Sequence, residues 1–161
     1  MSILVKALPA AAPRSDSAKQ MSLLYAGILV VFVVAQLFTF DEFIDLIPSL
    51  NLPISDRLTF AIAPAIVVAE LFALPFLLRM KLSIGFRWFS MMLGWLVPVL
   101  WACISLWTVT TQPAAETVGF LGTLVDVVPG WWAVLASCAL GILAAWSSWG
   151  LWPGARSKTK K

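Results

Sequence analysis

Histidine is absent from this chain, tyrosine occurs once and cysteine twice. Without imidazole the commonest haem and metal ligand is missing, and so is the usual general base near neutral pH. A haem-bearing subunit or a His-based metal site is therefore not expected. Cys103 and Cys138 both lie in apolar runs, form no CxxC pair and give no soluble disulfide framework. Charge is scarce as well: 12% of the 161 residues are Asp, Glu, Lys or Arg, where a soluble domain carries about 25%. No Gly-rich phosphate loop, no Ser/His/Asp set and no basic, aromatic-studded stretch suited to nucleic acid is present, so nucleic acid is excluded as a partner. What the chain has instead is apolar surface, with 61% of its residues hydrophobic. A soluble fold of this length has no means of hiding that much, and part of the solvent must be lipid.

Spanning about 30 Å of hydrocarbon takes about 20 apolar residues as a helix. Four runs qualify, 22–40, 58–78, 88–110 and 131–152, and Glu70 is the only charged residue inside them. In lipid every backbone polar group must be satisfied within the segment, so these runs are expected to be helices. The period-2 alternation of strands is absent. The expected fold is all-α, an integral membrane four-helix bundle over 22–152, with an N-terminal tail 1–21 rich in Ala, Pro and Ser and a basic tail 153–161. The first run follows Lys19 and continues to Phe40, longer than a signal-peptide core, so it is read as a retained span. Pro64, Pro75 and Pro98 fall within spans, which transmembrane helices tolerate when neighbours cover the freed carbonyls.

Orientation is read from Lys and Arg. Lys6, Arg14 and Lys19 precede span one. Arg79, Lys81 and Arg87 surround the loop between spans two and three. Arg156, Lys158, Lys160 and Lys161 follow span four. Ten of the 11 basic residues thus lie on one side, with Arg57 alone on the other beside Asp41, Glu42, Asp45, Asp56, Glu116 and Asp126. Both termini are expected in the cytoplasm of a cell-membrane protein. Tryptophans agree with the boundaries: Trp107, Trp131 and Trp132 at the outer interface, Trp88, Trp149 and Trp152 at the inner one. Outside, 114–129 repeats Ala114, Val118, Leu121 and Val125 at helical spacing, which predicts a short amphipathic helix on the surface. Phe43, Ile44 and Ile47 predict another short helix before Pro48. Ala61, Ala65, Ala69 and Ala73 in span two, and Ala133, Ser137, Gly141 and Ala145 in span four, form small-residue stripes where helices can approach closely.

Glu70 is the first candidate for chemistry. It lies about 3 Å from the midplane of span two at ~1.5 Å rise per residue, where an acid costs roughly 2.5–3.5 kcal/mol. Two readings are open. One is a proton or cation path, or a polar contact to a quinone or partner. The other is a neutral acid that donates to a carbonyl freed by Pro64 or accepts from an indole N–H, Trp95 and Trp146 being within about a turn of its depth. Cys103 and Cys138 share a depth, so contact is open if their helices face each other; a buried thiol in lipid is otherwise inert packing. Gln36, Ser105 and Ser137 are placed to form a polar layer in the outer half.

The order of these features resembles the DoxX-like superfamily of small four-helix membrane proteins, especially its MauE-like branch. The likeness rests on LFTFDEFIDLIPSLNLP at the end of span one, with its F-x-x-F at Phe40 and Phe43. It extends to VVAELFALPFLLRMKLS with Glu70 and a basic loop, and to VGFLGTLVDVVPGWW in the last loop, covering about 23–146. The resemblance implies a redox-associated membrane protein. MauE-like proteins are linked to maturation of methylamine dehydrogenase, and DoxX-like ones include a membrane subunit of a thiosulfate:quinone oxidoreductase. Many relatives carry Cys-Gly-Cys-Phe-Gly in the last loop. The matching positions here are Val118, Gly119, Phe120, Leu121 and Gly122, so the glycines remain and both thiols are absent. A surface thiol is the nucleophile of disulfide exchange. The expectation is therefore a non-catalytic membrane subunit or assembly factor, its outer loops facing a membrane or extracytoplasmic protein partner. The alternatives are a quinone-contacting component of a membrane oxidoreductase, with quinone as the possible cofactor, and a small transporter or proton path through Glu70.

Overall fold

The computed structural model describes residues 13–111, 117–125 and 128–152, except the side chains at 56 and 57. Among them are five helices: α1 (Asp16–Phe38), α2 (Phe40–Ser49), α3 (Asp56–Leu77), α4 (Ile84–Thr111) and α5 (Trp131–Gly150). All but α2 are long and apolar enough to cross a membrane, and the chain is a multi-pass protein whose described elements are all helices. α1 packs on α3 and α5, and α4 packs on the same two, so the long helices close a ring. α2 and the 117–125 segment lie at one end of it, and the α3–α4 turn and the described ends of the chain lie at the other.

The helix limits follow local chemistry. α1 starts at Asp16, ahead of the apolar run, because Ser15 Oγ accepts the Ala18 N–H at 3.2 Å and Asp16 sits in the positive first turn. It stops at Thr39, and α2 follows at once. α2 buries Phe43 and Ile47, one turn apart, and includes Pro48 rather than ending before it. Asn51 takes φ 44° just beyond α2, a left-handed position that asparagine tolerates. α3 ends in a Schellman turn. Arg79 takes φ 58°, its N–H bonds the Phe76 carbonyl at 3.1 Å, and the Met80 N–H reaches the Pro75 carbonyl at 3.0 Å. At the same end Arg14 lies 5.2 Å from the Trp149 ring centroid, and Trp88 and Trp152 meet edge to face.

Two of the three prolines inside α3 and α4 have a polar group of a neighbouring helix beside them. Pro98 lacks the N–H that would bond the Gly94 carbonyl, and the Tyr25 hydroxyl donates to that carbonyl at 2.7 Å. Pro75 disturbs the last turns of α3. There Ser90 Oγ of α4 accepts the Phe76 N–H at 3.1 Å and donates to the Phe72 carbonyl at 2.6 Å. Both tethers also hold helix to helix.

The small-residue stripes are only half used. Ala69 and Ala73 are buried, and the Gly94 backbone comes close to Ala73, but Ala61 and Ala65 face outward. On α5 the buried face runs Ala133, Ser137, Leu140, Ala144, Ser147 and Ser148. A strict spacing of four drifts off a 3.6-residue face within two turns, which leaves Ala145 exposed.

The segment after α4 departs from the amphipathic helix expected over 114–129. Residues 117–125 form turns, with Gly119 at φ 90° and Gly122 at φ 60°, values that end any right-handed helix. The remainder of that prediction, 114–116 and 126–127, lies outside the described residues. Thr117 through Phe120 are buried, so the segment is a plug set into the end of the bundle.

Candidate functional site

Beneath this plug lies a closed polar cluster. Glu70 of α3, Gln36 of α1 and Trp101 of α4 are all fully buried. Glu70 Oε1 accepts the Trp101 indole N–H at 3.0 Å and a Gln36 amide N–H at 3.3 Å. The Gln36 amide nitrogen also donates to the Phe120 carbonyl at 3.2 Å. Phe120 then stacks on Trp101, centroids 4.6 Å apart and planes 28° from parallel. Phe32 of α1 and Trp132 of α5 complete its surroundings. Four residues from three helices and one loop thus form a ring of contacts: Glu70, Gln36, Phe120, Trp101 and back to Glu70.

The plug is fastened a second time at the α1–α2 break. Thr39 Oγ1 accepts the Thr123 N–H at 3.1 Å, and the Thr123 hydroxyl donates to Glu42. The glycines make this close approach feasible. A Cβ on Gly122 would strike Thr39 Oγ1 and crowd the Gln36 backbone, and one on Gly119 would lie 2.8 Å from the Leu46 side chain. Together with the positive φ values, this explains why both positions hold glycine here.

Of the residues singled out in the sequence, Glu70 and Gln36 meet. The indole that reaches Glu70 belongs to Trp101, not to Trp95 or Trp146. Trp95 donates to Ser148 Oγ at 2.9 Å, and Trp146 is largely exposed on the bundle surface. Counting Cα depth overlooks side-chain direction: each helical side chain leans toward its own N-terminus. α3 and α4 run opposite ways, so Glu70 and Trp101 lean toward each other. No carbonyl freed by Pro64 is involved. Ser105 and Ser137 pair at 3.4 Å as an interhelical contact apart from Gln36. Cys103 and Cys138 are free and exposed. Cys103 borders an apolar cleft of about 570 Å³ at the α2 end, with Leu52, Ile62, Leu100, Ile104 and Trp107 also lining it. Among the described residues no group of His, Cys, Asp and Glu is gathered as metal ligands would be.

Trp101, Phe120 and Tyr25 were not singled out as partners. The signals available were the lone tyrosine, one turn's reach of an indole on an antiparallel helix, and an aromatic between two glycines. Chemically the cluster offers hydrogen-bond acceptors and a carboxyl group, with no nucleophile beside it. The chain matches no family model, no curated protein and no solved structure.

Proposed function

We propose that this chain is a non-catalytic membrane subunit or assembly factor of the DoxX/MauE kind, serving an extracytoplasmic or membrane redox system. The family reading rests on the order of sequence motifs. The observation that carries the functional reading is the pinned plug. Residues 117–125 are held from below by Gln36 and Trp101 and from the side by Thr39 and Glu42. Beside them α2 exposes Asp41, Glu42 and Asp45, and the plug exposes Leu124 and Val125. A rigid, mixed acidic and apolar surface at a bundle end suits docking of another protein. The described basic residues Arg14, Lys19, Arg79, Lys81 and Arg87 lie toward the opposite end, which supports reading the docking end as outside and both termini as cytoplasmic.

Affinity purification of the tagged chain from its native membranes in mild detergent tests this. A stoichiometric partner is expected, and it should be lost from an Asp41→Lys, Asp45→Lys variant that still inserts. A chain that purifies alone would overturn the reading. A quinone-contacting component is the second reading, favoured by the apolar cleft beside Cys103 and Trp107. It predicts quinone in the lipid extract of the purified protein, displaced by Ile104→Trp.

A further inference from the structure

Hydrogen-bond accounting around Glu70 leaves a specific remainder. The three N–H donors of the cluster are all engaged. The Trp101 indole and one Gln36 hydrogen serve Glu70 Oε1, and the other Gln36 hydrogen serves the Phe120 carbonyl. Two oxygens have no partner, Gln36 Oε1 and Glu70 Oε2. Both belong to fully buried side chains, and they are the second atoms of the two groups that already touch. We propose that these oxygens share one hydrogen: Glu70 and Gln36 form a cyclic acid–amide pair, a proton-binding site inside the bundle that latches the 117–125 plug.

One proton answers both deficits. An acid O–H on Oε2 becomes a donor, and Gln36 Oε1 becomes its acceptor, while the existing N–H to Oε1 bond closes the ring. A carboxylate would leave both oxygens bare in an apolar interior, where unmet acceptors are costly. Among the described residues no cation is placed against Glu70. Residues 22–38, 58–77, 88–111, 117–125 and 131–152 contain no charged side chain besides Glu70. The groups that touch it are Gln36 from α1 and Trp101 from α4, and Phe120 of the plug lies against both of these. Tyr25, the one other titratable group on α1 within the span, is committed to the Gly94 carbonyl. Because the same amide holds both Glu70 and the Phe120 carbonyl, the proton fixes the amide's orientation and thereby the plug.

Infrared spectroscopy of the intact protein in nanodiscs, with hydrogen–deuterium exchange across 117–125, tests the pair. The wild-type minus Glu70→Gln difference should contain a carboxylic-acid C=O stretch, and Gln36→Leu should shift that band. Glu70→Gln should keep slow exchange in 117–125, since an amide at position 70 completes the same ring without a proton. Gln36→Leu should raise exchange there several-fold. A difference spectrum holding only carboxylate bands overturns the proposal. So does an acid band unmoved by Gln36→Leu, or exchange in Glu70→Gln as fast as in Gln36→Leu. Should Gln36→Leu not fold, the Glu70→Gln difference spectrum and exchange decide alone. None of these readouts depends on a partner, so this site and the docking function stand or fall separately.

Discussion

Glu70 is buried among neutral groups, and its contacts separate what an amide can replace from what a methyl cannot. Glu70→Ala removes the acceptor of two N–H donors at once and should cost about 0.6–2 kcal/mol, the range for interhelical hydrogen bonds in membranes. Glu70→Gln should stay near wild type in thermal unfolding in detergent micelles. A Gln variant as unstable as the Ala variant would mean that a charge, not a hydrogen bond, is needed. Tyr25→Phe isolates a single bond, the hydroxyl to the carbonyl freed by Pro98, and belongs to the same range. Adding Pro98→Ala should erase most of that cost, because Gly94 then regains its own helical partner; a double variant that merely sums the two effects would refute the link. Gly122→Ala should be worse than either bond deletion. It places a side chain at φ 60° and against Thr39, and left-handed strain alone costs roughly 1–2 kcal/mol.

At the scale of elements, four helices were legible because lipid demands length and apolarity, both of which a sequence displays openly. α2 was legible from Phe43, Ile44 and Ile47. The plug was not, because Val118, Leu121 and Val125 fall at helical spacing by accident in a chain that is 61% hydrophobic. The two glycines between them were the better guide. The candidate site was half legible: a lone buried acid announces itself and Gln36 stood out as a polar residue in the outer half, but their meeting and Trp101 required side-chain direction and Phe120 required the loop's path. Ser90 provides an element-level prediction. Ser90→Ala removes the group that accepts from Phe76 and donates to Phe72, so α3 should fray beyond Pro75. Faster hydrogen exchange confined to 72–80, with the rest of α3 unchanged, is the expected pattern. Uniform loosening of α3 and α4 would show instead that Ser90 acts through packing.

For the whole molecule, the distribution of basic residues predicts a direction that impermeant thiol reagents can check. In a Cys103→Ala, Cys138→Ala background, cysteine at Ser55 or Leu124 should be labelled in intact cells, and cysteine at Met80 should not. Labelling only at Met80 would invert the protein and place the plug inside. The ring beneath the plug also has an order in time. Its members leave the ribosome as Gln36, Glu70, Trp101 and Phe120, so the acid reaches the bilayer before either aromatic residue has emerged. At that moment Gln36 is its one available partner, and the α1–α3 hairpin must assemble first to shelter an acid that would otherwise cost about 2.5–3.5 kcal/mol. Gln36 then acts as a chaperone built into the chain. Replacing it with leucine should depress membrane integration of a nascent chain halted after α3 more than that of the finished protein, where Trp101 has arrived to share the burden.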